Sequence, residues 1–221
     1  MLVAAALVVP VSATAEWITA SLSRVRPLKY DQFVYCLDAY LDQPSFMLGR
    51  MVAESNGLNI LVSVSYGLLP VMMLLVFATY LWNREEDLGL VVTVFVLNLF
   101  LAVPLYLIFP VCGPAFAFSG FPNHEPTIVP HLMPIPAAPN GVPSVHMSSA
   151  LFILWFLLKW RIGMVVGDAF LFLTALATMG SGQHYFFDLL CALPYALVVY
   201  VISVGLVRNA EIARSSRSAT A

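Results

Sequence analysis

Ser181-Gly182-Gln183-His184-Tyr185-Phe186-Phe187-Asp188-Leu189-Leu190 decides how this chain is read. Its first residues are turn formers and an apolar run follows, so the stretch reads as the N-terminal mouth of a helix. His184 and Asp188 are four apart, which places them on one helical face. The run continues apolar to Val207, like a membrane span. An imidazole and a carboxylate are expensive at the rim of such a segment, so their presence points to function. Upstream, Gly141-Val142-Pro143-Ser144-Val145-His146 has the same build, with turn residues before an apolar helix.

The composition places these two helix mouths in lipid. Of 221 residues, 61% are hydrophobic and only 10% charged. A soluble domain carries about 25% charged residues, so too little charge remains to solvate a surface. The net charge is −2 and the basic residues are scattered, which excludes nucleic acid as a partner. Cys36, Cys112 and Cys191 are too few and too far apart for a disulfide framework or a zinc site. Cys36 and Cys112 fall on one side of the membrane, but two cysteines alone specify no pairing geometry.

The fold class expected is all-α, a polytopic membrane helix bundle of six transmembrane helices plus interfacial helices. Residues 1–20 are a candidate first span, with a signal peptide as the alternative; no positive n-region supports the latter. Residues 21–58 mix charged residues with Phe33, Tyr35, Leu37, Tyr40 and Phe46. They read as amphipathic helices lying at the interface, broken at Pro27 and Pro44, or as a solvated loop with aromatic anchors. Residues 59–207 form the membrane core. Its spans are 59–82, kinked at Pro70, then 88–109, 144–158, 162–179 and 185–207. Residues 208–221 form a basic tail. The long loop 111–141, rich in Pro and Gly, holds His124 and His131.

Counting spans back from the tail puts Arg84, Lys159, Arg161, Arg208, Arg214 and Arg217 on one side, the expected cytoplasmic one. All four histidines then share the opposite, periplasmic or lumenal, face. There, Ser144 is an N-cap candidate, and the free amides of its first turn suit an anion. A histidine held through one ring nitrogen by Asp188 presents the other to an electrophile. His146 opposite is placed to protonate a leaving oxygen. These parts suit phosphoryl transfer through a phosphohistidine, with helix dipoles holding charge. Two plainer readings stand beside it. An H-x-x-x-D pair is commonly a local cap in soluble proteins, and the aromatics Tyr185, Phe186 and Phe187 fit an interfacial belt. A metal site of His146, His184, Asp188 and a loop histidine has suitable ligand types but no tight ligand spacing.

Pro143-Ser144-Val145-His146 followed by His184-Tyr185-x-x-Asp188, each opening a membrane helix, resembles the type 2 phosphatidic acid phosphatase superfamily. The pattern is closer to its inositolphosphotransferase branch around the inositol phosphorylceramide synthases. Phe109 to Pro114, Tyr30-Asp31 through Asp38, and Pro44-Ser45 also look like that branch. The resemblance implies His184 as nucleophile, Asp188 as its orienting partner and His146 as general acid, then base. It implies Ser144 and the amides after it as phosphate ligands, with Gly113 and Tyr185 as further candidate substrate contacts. It implies no metal and no cofactor. The partners would be a membrane phospholipid donor and a lipid or water acceptor.

Two departures stand out. The family's phosphatases carry a K-x6-R-P motif, and here Arg26-Pro27 lacks the lysine. They also place an arginine six residues before the second histidine, where this chain has Thr178. Lys29, Arg26 or Arg50 is the available substitute for that cationic clamp. Both departures favour a transferase of the sphingolipid-synthase kind over a hydrolase. The competing readings are a phosphatase of the same fold and a non-catalytic multi-pass membrane protein.

Overall fold

In a lipid-soluble chain every backbone amide must find its partner within the protein, and long apolar runs do so by coiling into helices. The computed structural model describes residues 13–14, 17–83, 87–123 and 125–218 and is almost wholly helical. Most of the candidate span 1–20 lies outside the described residues. So do Arg84, Glu85 and Glu86 of the charged turn, and His124.

Residues 17–25 are helical and Pro27 ends that stretch. A two-residue strand β1 (Leu28–Lys29) pairs antiparallel with β2 (Met133–Pro134), tying the long loop to the N-terminal segment. Two short helices follow, α1 (Asp31–Asp38) and α2 (Pro44–Glu54), the latter with Pro44 in its first turn. Next come α3 (Asn56–Gly67) and α4 (Leu69–Trp82), bent by 46° at Leu68. Pro70 lies in the first turn of α4, where its missing N–H leaves no bond unmade. The remaining helices are α5 (Leu88–Ile108), the single turn α6 (Pro114–Ala117), α7 (Val145–Leu157), α8 (Arg161–Gly180) and α9 (Phe186–Ser218).

Three of these, α5, α8 and the part of α9 over Phe186–Ala213, are long and apolar enough to cross a membrane; α3 and α4 together make a fourth. Up to four of the six expected are thus met among the described residues, and most of the first candidate, 1–20, lies outside them. Helix α7 has 13 residues, about 20 Å at 1.5 Å per residue, against a hydrocarbon core of about 30 Å. It is shielded by its neighbours instead: Ala150, Phe152 and Ile153 are fully buried. Helix α9 runs unbroken past Val207 to Ser218.

Two apolar cores result. The larger joins α4, α5, α7, α8 and α9 through Val76, Val91, Phe95, Phe152, Phe156 and Val199. Within it Asn98 of α5 accepts from Ser148 Oγ at 2.7 Å and donates to Ser149 Oγ at 2.9 Å, while Tyr195 Oη donates to the Asn98 carbonyl. This polar knot pins α5, α7 and α9 where no water can compete. The smaller core packs Val34, Tyr35 and Phe46 against Val111, Phe118, Val142 and Tyr185, and forms a cap on one end of the bundle. At the opposite end Lys159 pairs with Asp87 at 2.8 Å.

Residues 21–58, read as interfacial amphipathic helices or a solvated loop, hold two short helices with one face buried in the protein. The buried face of α1 is its polar one, Asp31, Gln32 and Asp38, together with Val34 and Tyr35. Its apolar Phe33 and Leu37, with Tyr40 and Leu41 beyond, are exposed. The polar side of this amphipathic helix therefore faces the protein and its apolar side faces outward.

Asn98→Ala removes a carbonyl and an amide that two serines share, and should destabilise the bundle by about 1–3 kcal/mol. The check is thermal unfolding in detergent. A midpoint equal to wild type would mean the knot holds nothing together.

Candidate active site

The two helix mouths meet at the capped end of the bundle. Ser144 is the N-cap of α7, its side-chain oxygen accepting from Met147 N–H at 3.3 Å. Its own N–H donates to the Asp188 carbonyl at 3.3 Å, which joins the two mouths directly. The first intrahelical bond of α7 runs from Ser148 N–H to the Ser144 carbonyl. The amides of Val145 and His146 therefore precede the helix's own bonding and point out of its mouth.

His184 Nδ1 lies 3.2 Å from Asp188 Oδ2, with both side chains almost fully buried. With Asp188 ionised, its Oδ2 can only accept, which places the proton on Nδ1 and the lone pair on Nε2. Burial lowers the basicity of His184 to about 4, partly offset by the Gly141 carbonyl beside the ring. The imidazole is therefore neutral near pH 7, as a nucleophile requires. The ring of His146 faces it with centroids 6.3 Å apart and planes at 55°. Tyr66 of α3 stacks on the other face of His146 at 4.3 Å. Among the described residues no Lys or Arg hydrogen-bonds or pairs with His146, His184 or Asp188.

The candidate clamps sit elsewhere. Arg50 pairs with Glu125 at 2.6 Å, and Lys29 is buried with its Nζ donating to the Arg26 carbonyl. Thus Ser144, His146, His184 and Asp188 are brought together and Lys29 is not brought to them. Gly113 and Tyr185 are close to the site but otherwise engaged. The Gly113 amide donates to Asp31 Oδ1 at 2.9 Å, and Tyr185 is fully buried with its hydroxyl on the same oxygen at 3.1 Å. Tyr185 therefore belongs to no interfacial belt. Gly113 has φ +119°, and an added Cβ would stand 2.2 Å from the Gln183 carbonyl oxygen. Only glycine lets the loop after α5 close on the turn before His184.

The mouth of α9 differs from expectation. Its leading amides are already taken: Tyr185 N–H by Asp188 Oδ2 at 2.9 Å, Phe186 N–H by Asp38 Oδ2 at 2.8 Å, and Phe187 N–H by Asp38 Oδ1 at 3.0 Å. An incoming anion therefore has the α7 mouth to use. Burial raises Asp38 to about 6 against the pull of those two amides. It likewise raises Asp31 to about 7, opposed by the amides of Gly113 and Cys112. Residues that spacing rules did not assign to the site are Asp31, Asp38, Ser45, Tyr66 and Thr178. One signal was present: Asp31 and Asp38 are seven apart, on one face of a helix whose other face is apolar. Cys36, Cys112 and Cys191 are free thiols, and the described residues contain no group of three or more His, Cys, Asp or Glu disposed to hold a metal.

A family model described as the PAP2 superfamily matches residues 38–202, a stretch that includes both histidine motifs. The match covers most of the chain, and the chain belongs to the PAP2 superfamily. Searches of the curated proteins and of the solved structures found no match.

The raised carboxyl of Asp31 has a signed consequence. A folded-state pKa of about 7, above the ordinary 3.8, gives stability that is present at low pH and lost as pH rises through that window. Buried His184 titrates in the opposite sense, so the comparison is with Asp31→Asn. The wild-type unfolding midpoint minus that of the variant should fall between about pH 4 and pH 7. A difference that stays constant across the range would contradict the assignment.

Proposed function

We propose that this member of the PAP2 superfamily is a membrane lipid phosphotransferase, moving a phosphoinositol-like or phosphate head group between lipids through a phosphohistidine on His184. The observation that supports it is the buried His184–Asp188 pair facing His146 beside the open mouth of α7. In the first step Nε2 of His184 attacks phosphorus and the bond from phosphorus to the donor's alcohol oxygen breaks. Burial beside His184 lowers His146 to about 3, so His146 takes up a proton as the anionic donor binds and passes it to that oxygen, releasing diacylglycerol or a similar alcohol. In the second step the acceptor hydroxyl attacks phosphorus, the P–N bond breaks, and His146 takes the hydroxyl proton. The amides of Val145 and His146 stabilise the charge on the non-bridging oxygens throughout.

Two features favour transfer over hydrolysis. His184 is only 4% exposed and Tyr66 covers one face of His146, so water has restricted access to the phosphoryl group. No Lys or Arg pairs with the histidines among the described residues. A phosphodiester with one negative charge is tolerated there better than a phosphomonoester with two. The site would face the periplasm or lumen, opposite the end that holds Lys159. Hydrolysis by the same two steps, with water as acceptor, is the second reading that superfamily membership supports.

The test is a purified, detergent-solubilised enzyme given phospholipid radiolabelled in its phosphate, with and without a hydroxyl-bearing acceptor lipid. A new labelled lipid that appears only with acceptor is the expected result, and His184→Ala should reduce it about a thousandfold or more. Free inorganic phosphate would identify a hydrolase. Undiminished turnover by the His184 variant would eliminate the phosphohistidine route.

A further inference from the structure

We propose that Asp31 and Asp38 are positioning residues: a pair of buried carboxylates on α1 that aims His184 without touching its ring. The inference rests on the nucleophile role given to His184 above.

The backbone around His184 is held from several directions. Its N–H donates to the Thr178 carbonyl at 3.1 Å, and its carbonyl accepts from Ser45 Oγ at 3.0 Å. Asp38 takes the two amides that follow Tyr185, one on each oxygen, so it caps α9 from another helix. Asp31 bonds the Tyr185 hydroxyl and also the amides of Cys112 and Gly113. It thereby locks the loop after α5 onto the turn that holds His184, at the point where Gly113 and Gln183 are closest.

Both carboxylates are at most 1% exposed. Burying a carboxylate is unfavourable unless its hydrogen bonds are made, and a neutral cap or plain apolar packing would close the same gap at less cost. What the acids add is direction. Between them their oxygens fix four amides and one hydroxyl, and together they set the entry angle of α9 and hence the line from Nδ1 to Asp188. The Asp188 carboxyl is left with one oxygen, Oδ1, that is buried and has no hydrogen-bond partner. It is therefore weakly restrained on its own and depends on the frame around it.

Aim affects kcat more than substrate affinity, because a displacement of about 1 Å at a reacting atom can lower the rate about a hundredfold. The experiment measures kcat and KM for head-group transfer in Asp38→Asn, Asp38→Glu and Asp31→Asn, alongside acid-quenched trapping of the labelled phosphoenzyme. Asn presents one oxygen in place of two, and its NH2 opposes an N–H. The expected result for Asp38→Asn is a loss of about tenfold or more in kcat with KM within about twofold. Asp31→Asn should show the same pattern. Asp38→Glu keeps the charge and both oxygens and should recover part of the loss. Asp42→Asn, an exposed carboxylate just beyond α1, should match wild type.

Equal rises in KM and falls in kcat, or a kcat unchanged in Asp38→Asn, would overturn the proposal. Should Asp38→Asn not fold, Asp38→Glu decides: kcat equal to wild type counts against a positioning role, and a selective fall in kcat supports it. Wild-type enzyme that turns over but traps no phosphoenzyme would instead remove the reading on which this inference rests.

Discussion

A break between two helices inside an apolar protein leaves amides that neither lipid nor water can satisfy, and the turn between α8 and α9 is such a break. The chain resolves it with carboxylates. Asp188 takes the Tyr185 amide from within α9, and Asp38 takes the next two from α1. With those bonds made, the turn becomes rigid and its one reactive side chain, His184, has a fixed partner and a fixed direction. The two-residue sheet, the inverted helix α1, the tight glycine at 113 and the capping core around Tyr35 and Tyr185 all serve to bring those carboxylates to that turn.

This arrangement also explains the chemistry left open. The amides at the start of α9 are consumed by structure, so the mouth left open is that of α7, capped by Ser144. Family phosphatases, by the resemblance, would place an arginine where Thr178 stands. Here the Thr178 hydroxyl turns back to donate to the Thr174 carbonyl of its own helix at 2.9 Å, and the position offers the site no charge. The proposed transfer from a singly charged phosphodiester rests on this sheltered site, where no cation pairs with the histidines among the described residues.

What could be read from the sequence follows from range. The N-cap at Ser144 and the pairing of His184 with Asp188 are local, set by helix geometry over three or four residues, and the spacing alone implied both. The helical, membrane-borne character followed from missing charge. The contacts of Asp38 with Phe186 and Phe187, and of Asp31 with Tyr185, join residues about 150 apart, and no periodicity encodes them. Charged residues among aromatics in 21–58 imply an amphipathic helix but not which face turns to the protein, since that depends on distant amides taken by Asp31 and Asp38. Span counting does not distinguish α7 from a crossing helix, since an apolar helix shielded by its neighbours has the same composition as one shielded by lipid. Tyr66 could not be assigned to His146 because the bend at Leu68, which swings α3 over the site, is a tertiary outcome.

The most direct test is a structure of the protein with orthovanadate, which adopts the five-coordinate geometry of a phosphoryl group in transfer. The account requires vanadium bonded to Nε2 of His184, an apical oxygen within hydrogen-bond reach of His146, and equatorial oxygens on the amides of Val145 and His146. Vanadate bound away from His184, or resting at the mouth of α9 with the Asp38 contacts displaced, would contradict it.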